Sequence, residues 1–232
     1  MCDLNELNAA LTKLDARGRV EWAAHKFGDD LAATSSFGAD SALMLHLATC
    51  VKPDIRVITI DTGLLFPETI QFREQLADRL NLNLVILRPP VTPETFVDEH
   101  GDMWLINPHA CCGFLKREQF DKAKKQLKLR CWMTGIRRDQ SFTRRDASFV
   151  MRDHVDVLKL CPVADWSARD VDRYLKQHDL PYHPLRAQGY LSIGCMPCTR
   201  KVEPGDDPRS GRWAGLDQTE CGLHVHDQGS GI

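Results

Sequence analysis

Between residues 31 and 160, short apolar runs alternate with stretches of helical periodicity, and this alternation limits the fold more than any other feature of the chain. The runs LAATSS (31–36), RVITI (56–60), NLVIL (83–87), CWMTG (131–135) and VDVLKL (155–160) read as strands. SALMLHLA (41–48), PETIQFREQLADRL (67–80) and SARDVDRYLKQHD (167–179) read as helices, the second opening on a proline and the third capped by Ser167. A further helix is expected over 5–28, where Leu4, Leu7, Leu11 and Leu14 recur at spacings of three and four. Strands joined by helices imply crossover connections, hence an α/β fold: an open, mainly parallel, twisted sheet flanked by helices. Ligands of such sheets bind beyond the carboxyl ends of the strands, where strand order reverses.

The 232 residues suffice for one large domain, read as 1–200, followed by a Gly-, Pro- and Asp-rich segment, 201–232, that has no period and is expected to be mobile. A net charge of −2 argues against nucleic acid as a partner. No long apolar run suggests a membrane span and the first residues lack a signal-peptide core, so a cytoplasmic protein is expected. In a reducing compartment nine cysteines point to metal ligation or thiol chemistry rather than disulfides. Cys2, Cys50, Cys131 and Cys161 have no cysteine neighbour and are expected to pack as small hydrophobes.

The strand exits carry the candidate chemistry. SSFGADS (35–41) runs from the first strand into a helix. Gly38 would let the backbone approach a phosphate, the helix N-terminus would supply N–H donors, and Ser35, Ser36 and Ser41 would add hydroxyls. Asp61, Thr62 and Gly63 follow the second strand, in position for a ribose or base edge. After the fourth strand, TGIRRDQSFTR (134–144) brings an arginine cluster to the same edge, with Arg137 the favoured anion ligand. Cys111-Cys112 and Cys195-x-x-Cys198 supply four thiolates, enough for zinc or an iron–sulfur cluster. An adjacent pair is unusual for structural zinc and easier for a cuboidal cluster. Lys116 would share a helical face with Cys112.

The form S-x-G-x-D-S, which includes Asp40, resembles the PP-loop of the adenine-nucleotide α-hydrolases. Together with DTGLLFPET, the two cysteine pairs, RSGRW and TECGLH, it resembles the iron–sulfur branch of the assimilatory adenylylsulfate (APS) reductases, over residues 30–224. The resemblance implies one 4Fe–4S cluster on the four cysteines and adenylyl sulfate as substrate, with AMP and sulfite as products. Cys221 would be the nucleophile, with His224 and Lys116 as catalytic partners and Arg209 and Arg212 on the phosphate and sulfate. A thioredoxin or glutaredoxin-like protein would supply the electrons, and self-association is compatible with the sequence. One departure is Gln218, where the family often has lysine, so a local lysine is not expected to activate Cys221. The alternatives are a reductase of 3′-phosphoadenylyl sulfate (PAPS) that has retained a cluster, although the relatives specific for PAPS lack those cysteines, or one accepting both nucleotides. From another class come a PP-loop ATP pyrophosphatase such as a tRNA thiolation enzyme and a non-catalytic zinc module, which would leave the tail cysteine without a purpose.

Overall fold

The computed structural model of the chain describes residues 3–223. Its first helical stretch is two helices, α1 (Leu4–Thr12) and α2 (Ala16–Phe27), rather than the single one expected over 5–28. Asp15 makes the break, because its side chain accepts the Gly18 N–H and starts a new helix. From there the elements alternate as the apolar pattern requires: β1 (Leu31–Thr34), α3 (Ser41–Val51), β2 (Arg56–Ile60), α4 (Pro67–Leu80) and β3 (Asn83–Leu87).

The stretch that follows carries helices that the apolar pattern does not reveal: α5 (Pro93–His100), α6 (Met103–Ile106), α7 (Pro108–Cys112) and α8 (Glu118–Gln126). A widened π turn over Gly113–Arg117 joins the last two. The chain then returns to the sheet as β4 (Cys131–Met133), β5 (Val150–Arg152) and β6 (Leu158–Leu160), and closes its regular structure with α9 (Ala168–Gln177). Ser167 caps α9, its side chain accepting the Asp170 N–H while the Asp170 carboxylate returns to the Ser167 N–H. β5 lies outside the expected strands, and only the last half of VDVLKL is strand.

The six strands lie in the order β3-β2-β1-β4-β6-β5, all parallel except the β5–β6 pair. β1 alternates between two cores: Leu31 and Ala33 face the larger one with α2, α3 and α9, while Ala32 packs with Ile58, Phe120 and Trp132 on the other face. The order explains the site. The chain builds outward from β1 through β2 to β3, then crosses to the opposite side of β1 for β4. The carboxyl ends of β1 and β4 therefore open a crevice between loops that diverge.

Candidate active site

A cavity of about 240 Å³ occupies that crevice. The phosphate-type loop forms one wall, with Ser35, Ser36, Gly38, Asp40 and Ser41 all lining it. Inside the loop the Ser35 hydroxyl accepts the Phe37 N–H at 3.0 Å, and the Ser41 hydroxyl donates to the Gly38 carbonyl at 2.9 Å. Phe37 is buried and sits at φ +49°, so its ring pins the turn from below. A Cβ on Gly38 would stand 3.3 Å from the Ile193 carbonyl, a tight approach that would require that backbone to shift by a few tenths of an ångström. Asp40 does not cap α3. Its carboxylate meets Arg137 at 3.2 Å and Arg186 at 3.6 Å.

Asp61, Thr62 and Gly63, expected at a ribose or base edge, are not among the residues that line this cavity. Arg73, two turns along α4, reaches back to the Asp61 carboxylate at 3.2 Å, and Asp61 also accepts the Gly63 N–H. Gly63 takes φ +75° against Pro93. The Thr62 hydroxyl lies 3.3 Å from Cys195 Sγ. Of this motif, only Thr62 touches a candidate metal ligand.

The opposite wall is the loop after β4 together with the segment beyond residue 200. Arg137 is buried and held by Asp40 and, at 3.0 Å, by Asp139. Arg144, which nothing in the sequence singles out from its neighbours, also lines the cavity. Its Nε and Nη2 each donate to a carboxylate oxygen of Glu220 at 2.7 Å. Arg209 adds a bond of 3.1 Å to the same carboxylate, bonds the Thr219 carbonyl at 2.7 Å, and lines the cavity as Arg212 does. Burial and the like charge of Arg144 lower the Arg209 pKa to about 10, leaving it protonated at neutral pH. Burial alone would raise the Glu220 pKa, but its bonds and charge contacts with Arg144 and Arg209 hold it below the usual carboxylate value.

Cys221 lines the same cavity, one residue from this carboxylate. No helix or strand holds residues 201–223; an isolated bridge between Thr199 and Arg212 and the buried Trp213 anchor them. His224 lies outside the described residues, as does Cys2.

The four candidate metal ligands are buried, free of disulfides, and close enough to perturb one another. Burial and the neighbouring thiols push Cys111 up to about 12 and Cys198 up to about 11. Cys195 goes the other way. Burial would raise it, yet the Lys116 ammonium, the Thr62 hydroxyl and Arg212 hold it below the ordinary thiol value. Burial disfavours the Lys116 ammonium too, but Cys195, Cys112 and Cys221 keep its pKa above that of an ordinary lysine. Gln218, which stands where the family often has lysine, donates to Cys112 Sγ at 3.6 Å. Among the described residues no three Cys, His, Asp or Glu groups stand ready around a single metal ion. The Trp213 indole N–H, packed with Cys112, Cys195 and Cys198, is buried without an acceptor among the described residues. A Cys₄ donor set with a buried N–H beside it fits a sulfide-bearing cluster. Of the cysteines expected to pack, Cys131 and Cys161 are fully buried, but Cys50 is exposed beside His46.

A parallel sheet with a glycine–serine loop at its switch point, an arginine-lined crevice and a cysteine reaching into it define a nucleotide-binding enzyme of the PP-loop class. Comparison narrows this. Residues 30–201 match the phosphoadenosine phosphosulfate reductase domain, and the chain belongs to that family. It is an oxidoreductase of sulfate assimilation. The chain is 43% identical to a phosphoadenosine 5′-phosphosulfate reductase of Photobacterium profundum, over 99% of this chain and 92% of the relative. A second relative of the same name, from Xanthomonas euvesicatoria, is 44% identical over 96% of this chain and 92% of its own. Among solved structures, the PAPS reductase of Candida auris in a phosphate complex superposes with a TM-score of 0.76 at 26% identity, covering 87% of this chain and 98% of that one.

Proposed function

We propose that the chain reduces the sulfuryl group of adenylyl sulfate to sulfite, releasing AMP, with Cys221 as nucleophile and a thioredoxin-type dithiol as reductant. The observation that carries this reading is the placement of Cys221 in the same cavity as the phosphate-type loop, facing Lys116. The Cys221 thiolate attacks the sulfur, the bond from sulfur to the phosphate oxygen breaks, and AMP leaves with the electron pair. A reductant thiolate then attacks Cys221 Sγ, the bond from Sγ to the sulfo sulfur breaks with its electron pair leaving on sulfite, and the second reductant thiol resolves the mixed disulfide. The dithiol thus supplies both electrons. Lys116 and Arg212, which pair with no carboxylate among the described residues, would hold the sulfate and the charge that grows on the leaving phosphate. Residues beyond 200 would form an arm that brings Cys221 first to the nucleotide and then to the reductant.

Cys111, Cys112, Cys195 and Cys198 would hold a 4Fe–4S cluster, which when bound supplies a fixed negative charge beside Lys116 rather than electrons. Adenylyl sulfate is favoured because the chain carries the four cysteines of the iron–sulfur branch that the sequence resembles, with Cys112, Cys195 and Cys198 packed together and Cys195 lining the cavity. PAPS is the second reading, favoured by the names of the relatives. The test is sulfite release from each nucleotide with reduced thioredoxin, on protein purified without oxygen and assayed for iron and sulfide. Sulfite from adenylyl sulfate by an iron-containing protein is expected; release from PAPS alone would select the second reading. Cys221→Ser should abolish turnover and retain the iron, and an active variant would overturn the mechanism.

A further inference from the structure

Cys221 lies in a stretch without helix or strand, so its position in the cavity depends on a few side-chain bonds. Glu220 makes most of them. It is 8% exposed, and its carboxylate accepts from Arg144 twice at 2.7 Å, from Arg209 at 3.1 Å and from the Thr143 hydroxyl at 3.3 Å. A bidentate guanidinium–carboxylate pair fixes direction as well as distance, and such pairs are among the stronger side-chain contacts. The pair does not end at the arm. Gln140 Oε1 accepts from Arg144 Nη1 at 2.5 Å and from the Arg137 backbone N–H at 3.1 Å. The Arg137 guanidinium in turn clamps Asp40, the residue at the start of α3 in the phosphate-type loop.

We propose that Glu220 is a positioning residue that couples the nucleotide loop to the nucleophile: the relay Asp40–Arg137–Gln140–Arg144–Glu220 docks the Cys221 arm, and an occupied loop strengthens that docking. The coupling rests on the nucleotide reading above; the docking does not. A nucleotide that orders the phosphate-type loop fixes Arg137 against Asp40, which keeps Arg144 presented to Glu220. By linkage, the factor by which nucleotide favours the docked arm is the factor by which a docked arm favours nucleotide. The arm would then stay closed while the substrate is present and loosen when the nucleotide leaves, which is when the reductant needs Cys221.

The test is the rate of Cys221 alkylation by iodoacetamide, read by peptide mass mapping in the full chain. Cys131 and Cys161, 0% exposed in the core, serve as internal reporters of global unfolding. Without nucleotide, Glu220→Gln should raise the Cys221 rate about a hundredfold by freeing a local opening, with the two core cysteines still protected. Glu220→Asp, which keeps the charge, should recover part of the protection. AMP, or adenosine 3′,5′-bisphosphate, should slow alkylation of the wild type about tenfold. Glu220→Gln should lose that protection and bind the nucleotide more weakly by a similar factor. Wild-type alkylation rates in Glu220→Gln would overturn the docking role, as would an Asp variant as fast as the Gln one. If the nucleotide binds but protects both proteins equally, the coupling is wrong. If neither nucleotide binds the wild type, the nucleotide reading itself fails, while the nucleotide-free comparison still decides the docking. Should Glu220→Gln expose the core cysteines, Arg144→Gln replaces it with the same expected rates.

Discussion

His183 makes the stability of this fold depend on pH, and the size of the effect follows from its surroundings. The residue is 1% exposed, its ring packs edge-on against Phe72, and its backbone N–H points to the Ala39 carbonyl of the phosphate-type loop at 3.5 Å. Nδ1 accepts the Leu185 N–H at 3.1 Å, which leaves the hydrogen on Nε2 to donate to Thr69 Oγ1 at 3.0 Å. The neutral ring is therefore fully bonded and a proton has no place to go. Burial pushes the pKa from 6.5 to about 4, the charge of Glu68 opposing weakly. With the folded value below the unfolded one, the unfolded chain takes up the proton first. Stability is then unaffected above pH 6.5 and is lost as pH falls towards 4.

At pH 5 the difference in proton binding amounts to about 2 kcal/mol, because each pH unit below 6.5 costs the folded state about 1.36 kcal/mol until the folded pKa is reached. For a chain of this size that corresponds to a drop of about 4–8 °C in Tm. The assay is thermal unfolding at pH 7.5 and 5.0 for the wild type and for His183→Gln, whose amide is polar but does not titrate. Carboxylates elsewhere contribute equally to both proteins, so the comparison isolates the imidazole. The wild type should lose about 2 kcal/mol more than the variant between the two pH values. Equal losses would mean that the ring accepts its proton in the folded state, and the argument from burial would fail.

Two substitutions address the chemistry. Lys116→Met removes the cation that faces Cys112, Cys195 and Cys221. It should lower kcat/KM for sulfite formation about 10²- to 10³-fold, and a value within about threefold of wild type would exclude Lys116 from the transition state. Gly194→Ala acts on the other cation, since a Cβ there would stand 2.3 Å from Arg212 Nη2 and displace the guanidinium. Its kcat/KM should fall about tenfold or more with little change in Tm, and unaltered kinetics would show that Arg212 is not needed where it lies.

Continuous apolar runs such as RVITI and NLVIL are legible as strands because both of their faces contact other elements, so the pattern has no competing reading. β5 is not, since three residues, one of them exposed, pair at the sheet's antiparallel edge and carry no period. The helices over 93–126 are hidden by prolines and by short lengths. At the site, residue type and strand position suffice to bring the phosphate-type loop and Arg137 to the cavity's edge, but not to reveal the partner of Asp61. That contact depends on Arg73 folding back from α4, which no local pattern records. Arg144 and Glu220 are invisible for the same reason: 76 residues apart, each reads alone as a solvated charge, and only the fold makes them one buried pair. Cys50 departs in the opposite direction, exposed although it belongs to an apolar helix, because it lies near the end of α3 on the outward side.

The adjacent cysteines and Lys116 explain one another. Neighbouring residues on a helix point about 100° apart, and here Cys112 packs with Cys195, Cys198 and Trp213 while Cys111 packs with Phe96 and Leu115. The π turn starts at Gly113, directly after the pair, and π turns concentrate at functional sites because they re-aim the side chains around them. Lys116 lies within it, its ammonium set among the thiols of Cys112, Cys195 and Cys221. Enclosing an ammonium among neutral thiols would cost several kcal/mol with nothing to offset it. The arrangement is favourable only if the sulfurs are thiolates, yet Cys111 and Cys198 are held towards the protonated form by burial and mutual repulsion. Lys116 and Arg212 together balance two negative charges of a possible four, so ionising the remaining ligands calls for further cations bound directly to sulfur. This charge balance suits a metal centre on these cysteines, zinc and iron–sulfur alike, and under the proposed function Lys116 would lie between that centre and the sulfate that Cys221 is to attack.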